Sequence, residues 1–181
     1  MTIHPAELAH QFAAIRAEVE DLVQDLSDEQ LLWRPGPGAW SITECVAHLN
    51  RFDGESVAQI YPRVEEAKKA GCRREGPFRP RWFERVFIRA SEPPAKLRIP
   101  APKNYVPPPE LDPLETMLEF QRIQHDLAFL VKDSTGLDWE AIAIPMPVRW
   151  VRFRLVARLA HVAAHDRRHL WQARGVRSKL P

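Results

Sequence analysis

The run His161-Val162-Ala163-Ala164-His165-Asp166-Arg167-Arg168-His169-Leu170-Trp171-Gln172 carries three histidines at successive steps of four. On an α-helix a step of four is just over one turn, so the imidazoles of such a pair project from one stripe. Two ring nitrogens placed that way can reach one divalent ion at ~2.0–2.1 Å, the distance zinc requires. Each step also rotates the position by ~40°, so the three rings cannot face one ion equally. Spacing alone leaves the pairs His161–His165 and His165–His169 both open.

Two ligands do not make a site. No histidine, cysteine, aspartate or glutamate follows His169, so a third ligand is expected upstream. His48, in Trp40-Ser41-Ile42-Thr43-Glu44-Cys45-Val46-Ala47-His48-Leu49, is the best candidate. Three neutral nitrogens would leave one or more coordination positions open, the mark of a reactive rather than a structural site. Glu44 and Cys45 share the helical face of His48; they read as a capping carboxylate and a small buried residue. Gln172, three residues past His169, could hydrogen-bond near the ion. No general base is obvious, and Glu44 and Asp166 are weak candidates. The pattern His165-Asp166-Arg167-Arg168-His169 has aspartate where zincin proteases carry glutamate, and no third ligand follows, so a protease is set aside. His4, His10 and His125 read as solvated or interhelical polar residues. Trp33 and Trp40 read as packing residues, and Trp171 could wall a pocket beside the metal.

Four long helical segments must position these groups. The first runs from about Pro5 to Leu26, with Leu8, Phe12, Ile15, Val19, Leu22 and Leu26 at three- and four-residue steps. Ser27 to Gln30 forms a capping box for a short turn carrying Leu31 and Leu32. Ser41 and Glu44 form a second box for a helix reaching about Ala70, in which Pro62 predicts a kink or break. Prolines crowd between Pro93 and Pro113, so a long extended excursion is expected there, after a short amphipathic helix over 80–90. The third long helix spans Pro113 to Lys132, with Leu114, Met117, Leu118, Ile123, Leu127 and Leu130 as apolar positions. Leu137 to Trp150 reads as an irregular connection with Pro145 and Pro147, and the fourth helix as Arg152 to Ala173. No stretch alternates as a strand. The reading is all-α: a four-helix bundle with a long proline-rich excursion between helices 2 and 3, over a single domain, 1–181. Such bundles build metal sites from facing helices.

Composition excludes some classes. Charged residues make up 28% of the 181 residues and the net charge is +2, with bases and acids interleaved, which gives no footprint for nucleic acid. No apolar run approaches the ~20 residues of a membrane helix, and no secretory signal is evident, so a cytoplasmic location is the default. Cys45 and Cys72 make no disulfide framework and are expected reduced.

Two motifs carry a resemblance. Trp33-Arg34-Pro35, Trp40-Ser41-Ile42 and His48-Leu49 resemble the first motif of the DinB family, also called the DinB/YfiT-like fold. His165 to Gln172 resembles its last-helix motif, and the helix order agrees across most of the chain. The resemblance implies a divalent-metal site of three histidines, falling on His48, His165 and His169, with His161 one turn outside. Characterised relatives include S-transferases using bacillithiol or related low-molecular-weight thiols, and a mycothiol-dependent isomerase. It thus implies a small-molecule substrate and a low-molecular-weight thiol as partners.

Three function classes follow. The first is a metal-dependent enzyme, most concretely a thiol S-transferase, or a hydrolase on the same ligands. The second is a non-catalytic binding or stress-response module. The third is a scaffold whose Trp82-Phe83-Val86-Phe87 face could serve as a homodimer contact. Imidazole ligands suit zinc, nickel, iron and copper, with zinc or nickel expected first.

Overall fold

A computed structural model describes residues 1–94, 100–146 and 151–181. Pro5 occupies the first turn of α1, Pro5–Val23, whose Leu8, Phe12, Ile15, Val19 and Leu22 are all buried. The Ser27–Gln30 capping box opens α2, Asp28–Leu32. Helix α3, Ile42–Lys69, starts on the second box: Ser41 Oγ accepts the Glu44 N–H at 3.1 Å and Glu44 Oε2 accepts the Ser41 N–H at 2.9 Å. Arg34 adds a two-bonded fork on the same carboxylate, at 2.7 and 2.6 Å, and so ties the Pro- and Gly-rich break before α3 to that helix. Helix α4 spans Trp82–Ser91, α5 Pro113–Asp133 and α6 Leu155–Arg177.

Helix α3 packs on α5 and α6, and α1 packs on the same two, which closes the four-helix bundle; α4 lies on the outside of α6. The chain is all-α apart from one small hairpin. Arg177 at the end of α6 donates to the carbonyls of Asp21 and Leu22 at 2.6 and 2.7 Å, satisfying acceptors that the end of α1 leaves open. No helix among the described residues is long and apolar enough to cross a membrane. Cys45 and Cys72 are free.

Four expectations are corrected. The fourth helix begins at Leu155, because Arg152–Arg154 form strand β2, paired antiparallel with β1, Ala143–Pro145. Ile144 faces Phe153 and both are buried; three-residue strands are too short for alternation to show. The helix also continues past Ala173 to Arg177, through Gly175. Pro62 does not break α3: it and Ala58, four residues before it, lie on the exposed side, where a carbonyl that loses its helical donor can turn to solvent. On α5, Leu114 and Leu118 are 67% and 58% exposed, and the inward face is Thr116, Phe120, Ile123, Leu127 and Leu130. Asn50 Nδ2 donates to the Thr116 carbonyl at 2.9 Å and holds that rotation. On α4, Trp82, Val86 and Phe87 point outward, while Glu84 and Ile88 are buried. The Glu84 carboxylate accepts the N–H groups of Arg81 and Arg154, so a charged residue takes the inward position by pinning two chain turns. Of the connections, residues 95–99 and 147–150, with Pro147 and Trp150, lie outside the described residues.

The start of α3 can be tested through its cap. Ser41→Ala should lower the unfolding free energy by about 1 kcal/mol in urea denaturation. No measurable loss would show that Arg34 and Glu44 hold the helix start without the serine.

Candidate metal centre

His48 sits two turns into α3 and is buried. Its Nδ1 lies 2.7 Å from the Tyr105 carbonyl oxygen. A carbonyl only accepts, so Nδ1 carries the proton and the Nε2 lone pair is free. That lone pair points across the bundle to Nε2 of His165, 3.3 Å away. Four residues on, the His169 ring centre is 4.6 Å from that of His165 and 4.4 Å from that of His48. One nitrogen from each of the three rings lies within 4.8 Å of the others. Trp40, next to the cap of α3, rests against His48 and His169, with ring centres 4.9 and 6.0 Å away.

The fit to a divalent ion can be judged from the donors. Two nitrogens each ~2.0–2.1 Å from a tetrahedral ion stand ~3.3–3.4 Å apart, which matches the His48–His165 spacing. The donors are neutral. Burial lowers the pKa of all three rings: His48 below its ordinary value, His165 well below it, and His169 to about 3. Nδ1 of His165 and of His169 is buried without a partner. The arrangement is compatible with a divalent metal.

His161 stands outside this group. Its ring is 6.2 Å from that of His165 and packs edge-on against Phe52 and Phe153. Burial also holds its pKa at about 3. Glu44 is engaged by Ser41 and Arg34, and buried Cys45 has its thiol pKa raised by desolvation. Trp171 is exposed, and Trp40 takes the wall position beside the rings.

Two sets of residues were not anticipated. The first is Tyr105, which closes a 3₁₀ turn, Lys103–Tyr105, inside the proline-rich excursion. Its hydroxyl donates to Glu55 at 2.6 Å, and Arg51 donates to the Asn104 carbonyl at 3.2 Å, so the excursion is fastened to α3 and supplies the carbonyl that orients His48. The second is the partnership of Asp166 on α6, a weak general-base candidate from the sequence, with the unforeseen Asp53 on α3: the two carboxyl groups are buried, with Gln124 of α5 donating to both at 3.2 and 3.0 Å. Both Asp pKa values are raised, chiefly by burial: Asp53 well above its ordinary value and Asp166 to about 7. The pair also comes within 4.8 Å of a His165 nitrogen.

A family model described as the DinB superfamily matches residues 11–173, which span every residue of the histidine and carboxylate clusters. No curated protein and no solved structure gives a significant match.

Acid stability of the metal-free protein follows from these shifts. The unfolded chain protonates its histidines below ~6.5, while the folded rings resist to lower pH. Their contribution is complete above ~6.5 and is lost as pH falls toward about 3, the folded value of His161 and His169. The carboxylate pair acts oppositely: its contribution is complete below the ordinary Asp value and is lost as pH rises through about 7, the folded value of Asp166. Four shifted imidazoles outweigh two carboxylates, so the unfolding temperature should fall between pH 6.5 and 5. His161→Phe should make that slope shallower. A flat or inverted profile would show that the rings do not outweigh the carboxylate pair, and an unchanged slope in His161→Phe would show that the His161 ring contributes nothing to it.

Proposed function

The chain belongs to the DinB superfamily, and from that premise we propose that it is a divalent-metal-dependent enzyme transferring a low-molecular-weight thiol to an electrophilic small molecule. The observation that carries the reading is the 3.3 Å approach of the two Nε2 atoms, with His48 held in one tautomer by a main-chain carbonyl. His48, His165 and His169 are the proposed ligands, and zinc or nickel the proposed ion. When bound, such an ion lowers the pKa of a coordinated thiol and supplies a nucleophile at neutral pH.

The protein's part is to prepare that position. Burial keeps the three imidazoles neutral, so their lone pairs are available at pH 7. Tyr105 fixes the His48 ring from behind. Trp40 and Phe52 supply apolar walls against the His48 and His165 rings, with the Phe52 ring centre 4.2 Å from that of His165. Apolar walls lower the local dielectric, which strengthens polar interactions made with a substrate. In the transfer, the thiol proton passes to solvent and sulfur bonds to an electrophilic carbon; either that carbon's leaving group departs with its bonding pair, or, in an addition, the pair displaced onto the neighbouring atom takes up a proton.

Elemental analysis should find about one divalent ion per chain. His48→Ala should lose most of it, and His161→Ala should keep it; the reverse result would overturn the ligand assignment. Conjugation of 2-mercaptoethanol to a generic electrophile such as chlorodinitrobenzene should be accelerated by the loaded protein and stop when a chelator strips the ion. Conjugation that survives complete stripping would sink the transferase reading. Chelator-sensitive ester hydrolysis without any thiol would move the assignment to a hydrolase.

A further inference from the structure

Arg158 lies on α6 one turn before His161 and two before His165, and it is 0% exposed. A guanidinium carries five N–H donors and is always charged, so burial normally comes with a carboxylate. Arg158 has none: among the described residues no carboxylate forms an ion pair or hydrogen bond with it. Its Nη2 donates to Ser56 Oγ at 2.7 Å, its Nη1 reaches only the Met146 thioether at 3.6 Å, and its Nε is buried with no partner. Asp53 and Glu55 are near enough to act on its charge, but Gln124 holds the first and the Tyr105 hydroxyl the second. A thioether is a weak acceptor on a flexible side chain, and Met146 is only half-buried, so it is the replaceable contact.

The position relative to the histidines is set by Phe52. The guanidinium carbon sits 4.8 Å from the centre of that ring and the His165 ring centre 4.2 Å from it, so the two groups are at most about 9 Å apart. That is no longer than a small organic molecule reaching past the edge of the Phe52 ring. We infer that Arg158 is an anchor for a carboxylate carried by the small molecule that meets the three histidines. The fork of a guanidinium matches the two oxygens of a carboxylate, and a single negative charge balances its own. A phosphate dianion would leave a surplus charge in this enclosed place. The substrate class is therefore a carboxylate-bearing thiol or electrophile, an assignment that rests on the transferase reading.

The test compares propionate with its neutral twin propionamide on the zinc-loaded protein, by ligand-observed NMR. Propionate should bind at least about tenfold more tightly, and Arg158→Met should abolish the preference while leaving metal content unchanged. Arg158→Lys should retain part of it. Equal binding of acid and amide, or a preference that survives in Arg158→Met because the carboxylate goes to the metal, would overturn the proposal. So would inorganic phosphate binding more tightly than propionate. Because the buried charge is under-paired, Arg158→Met should hold or raise the unfolding temperature; a sharp fall would mark the arginine as structural and count against the anchor. A second arm uses 3-mercaptopropionate and its methyl ester. If propionate binds through Arg158 but neither thiol perturbs the visible spectrum of the cobalt-substituted protein, the thiol reading fails while the carboxylate anchor stands.

Discussion

Burial makes charge costly inside this bundle, and the polar side chains of α6 are arranged by that constraint. The helix is buried on most of its circumference, yet it carries Arg158, His161, His165, Asp166 and His169 inward. Each group meets the cost of burial differently. The histidines stay neutral. The aspartate is paired with Asp53, burial raising the pKa of both carboxyl groups, and shares the amide of Gln124. The arginine, which cannot be neutralised, leans on a hydroxyl, an aromatic face and a thioether. Neutral imidazoles are the form that binds metal ions, so the same desolvation that stabilises uncharged rings also readies them as ligands.

The proline-rich excursion belongs to the centre rather than decorating it. Its 3₁₀ turn is fastened to α3 at Glu55 and Arg51, and the carbonyl presented there selects which nitrogen of His48 faces inward. An outer partner of this kind sets ligand direction and basicity as surely as the ligand itself. The bundle therefore supplies the ring positions, and an irregular segment supplies the orientation.

Much of this was legible in the residues. The capping boxes at Ser27 and Ser41 and the stripe of α1 depend on neighbours in sequence, so they can be read locally. The helical period puts His165 and His169 on one stripe, and the resemblance singles out His48, which the structure brings against them. What escaped depends on partners far along the chain. Tyr105 acts through a backbone carbonyl, which every residue type possesses. Asp166 was a weak general-base candidate, but its burial beside Asp53 shows only once α5 brings Gln124 to both. The hairpin is three residues deep, below the length at which alternation can be seen. Leu114 and Leu118 satisfy the helical period and still face outward, because the stripe through Phe120, Ile123, Leu127 and Leu130 takes the inward side of α5.

The link between Tyr105 and His48 also makes two equilibria one. If an ion binds more tightly when the carbonyl holds His48, then by thermodynamic reciprocity a bound ion holds the carbonyl turn in place by the same free energy. Docking of the 103–105 turn and occupancy of the centre would then rise and fall together. Anything that lifts the Tyr105 hydroxyl from Glu55, on the outer side of that turn, would be felt as a weaker grip on the ion at its inner side.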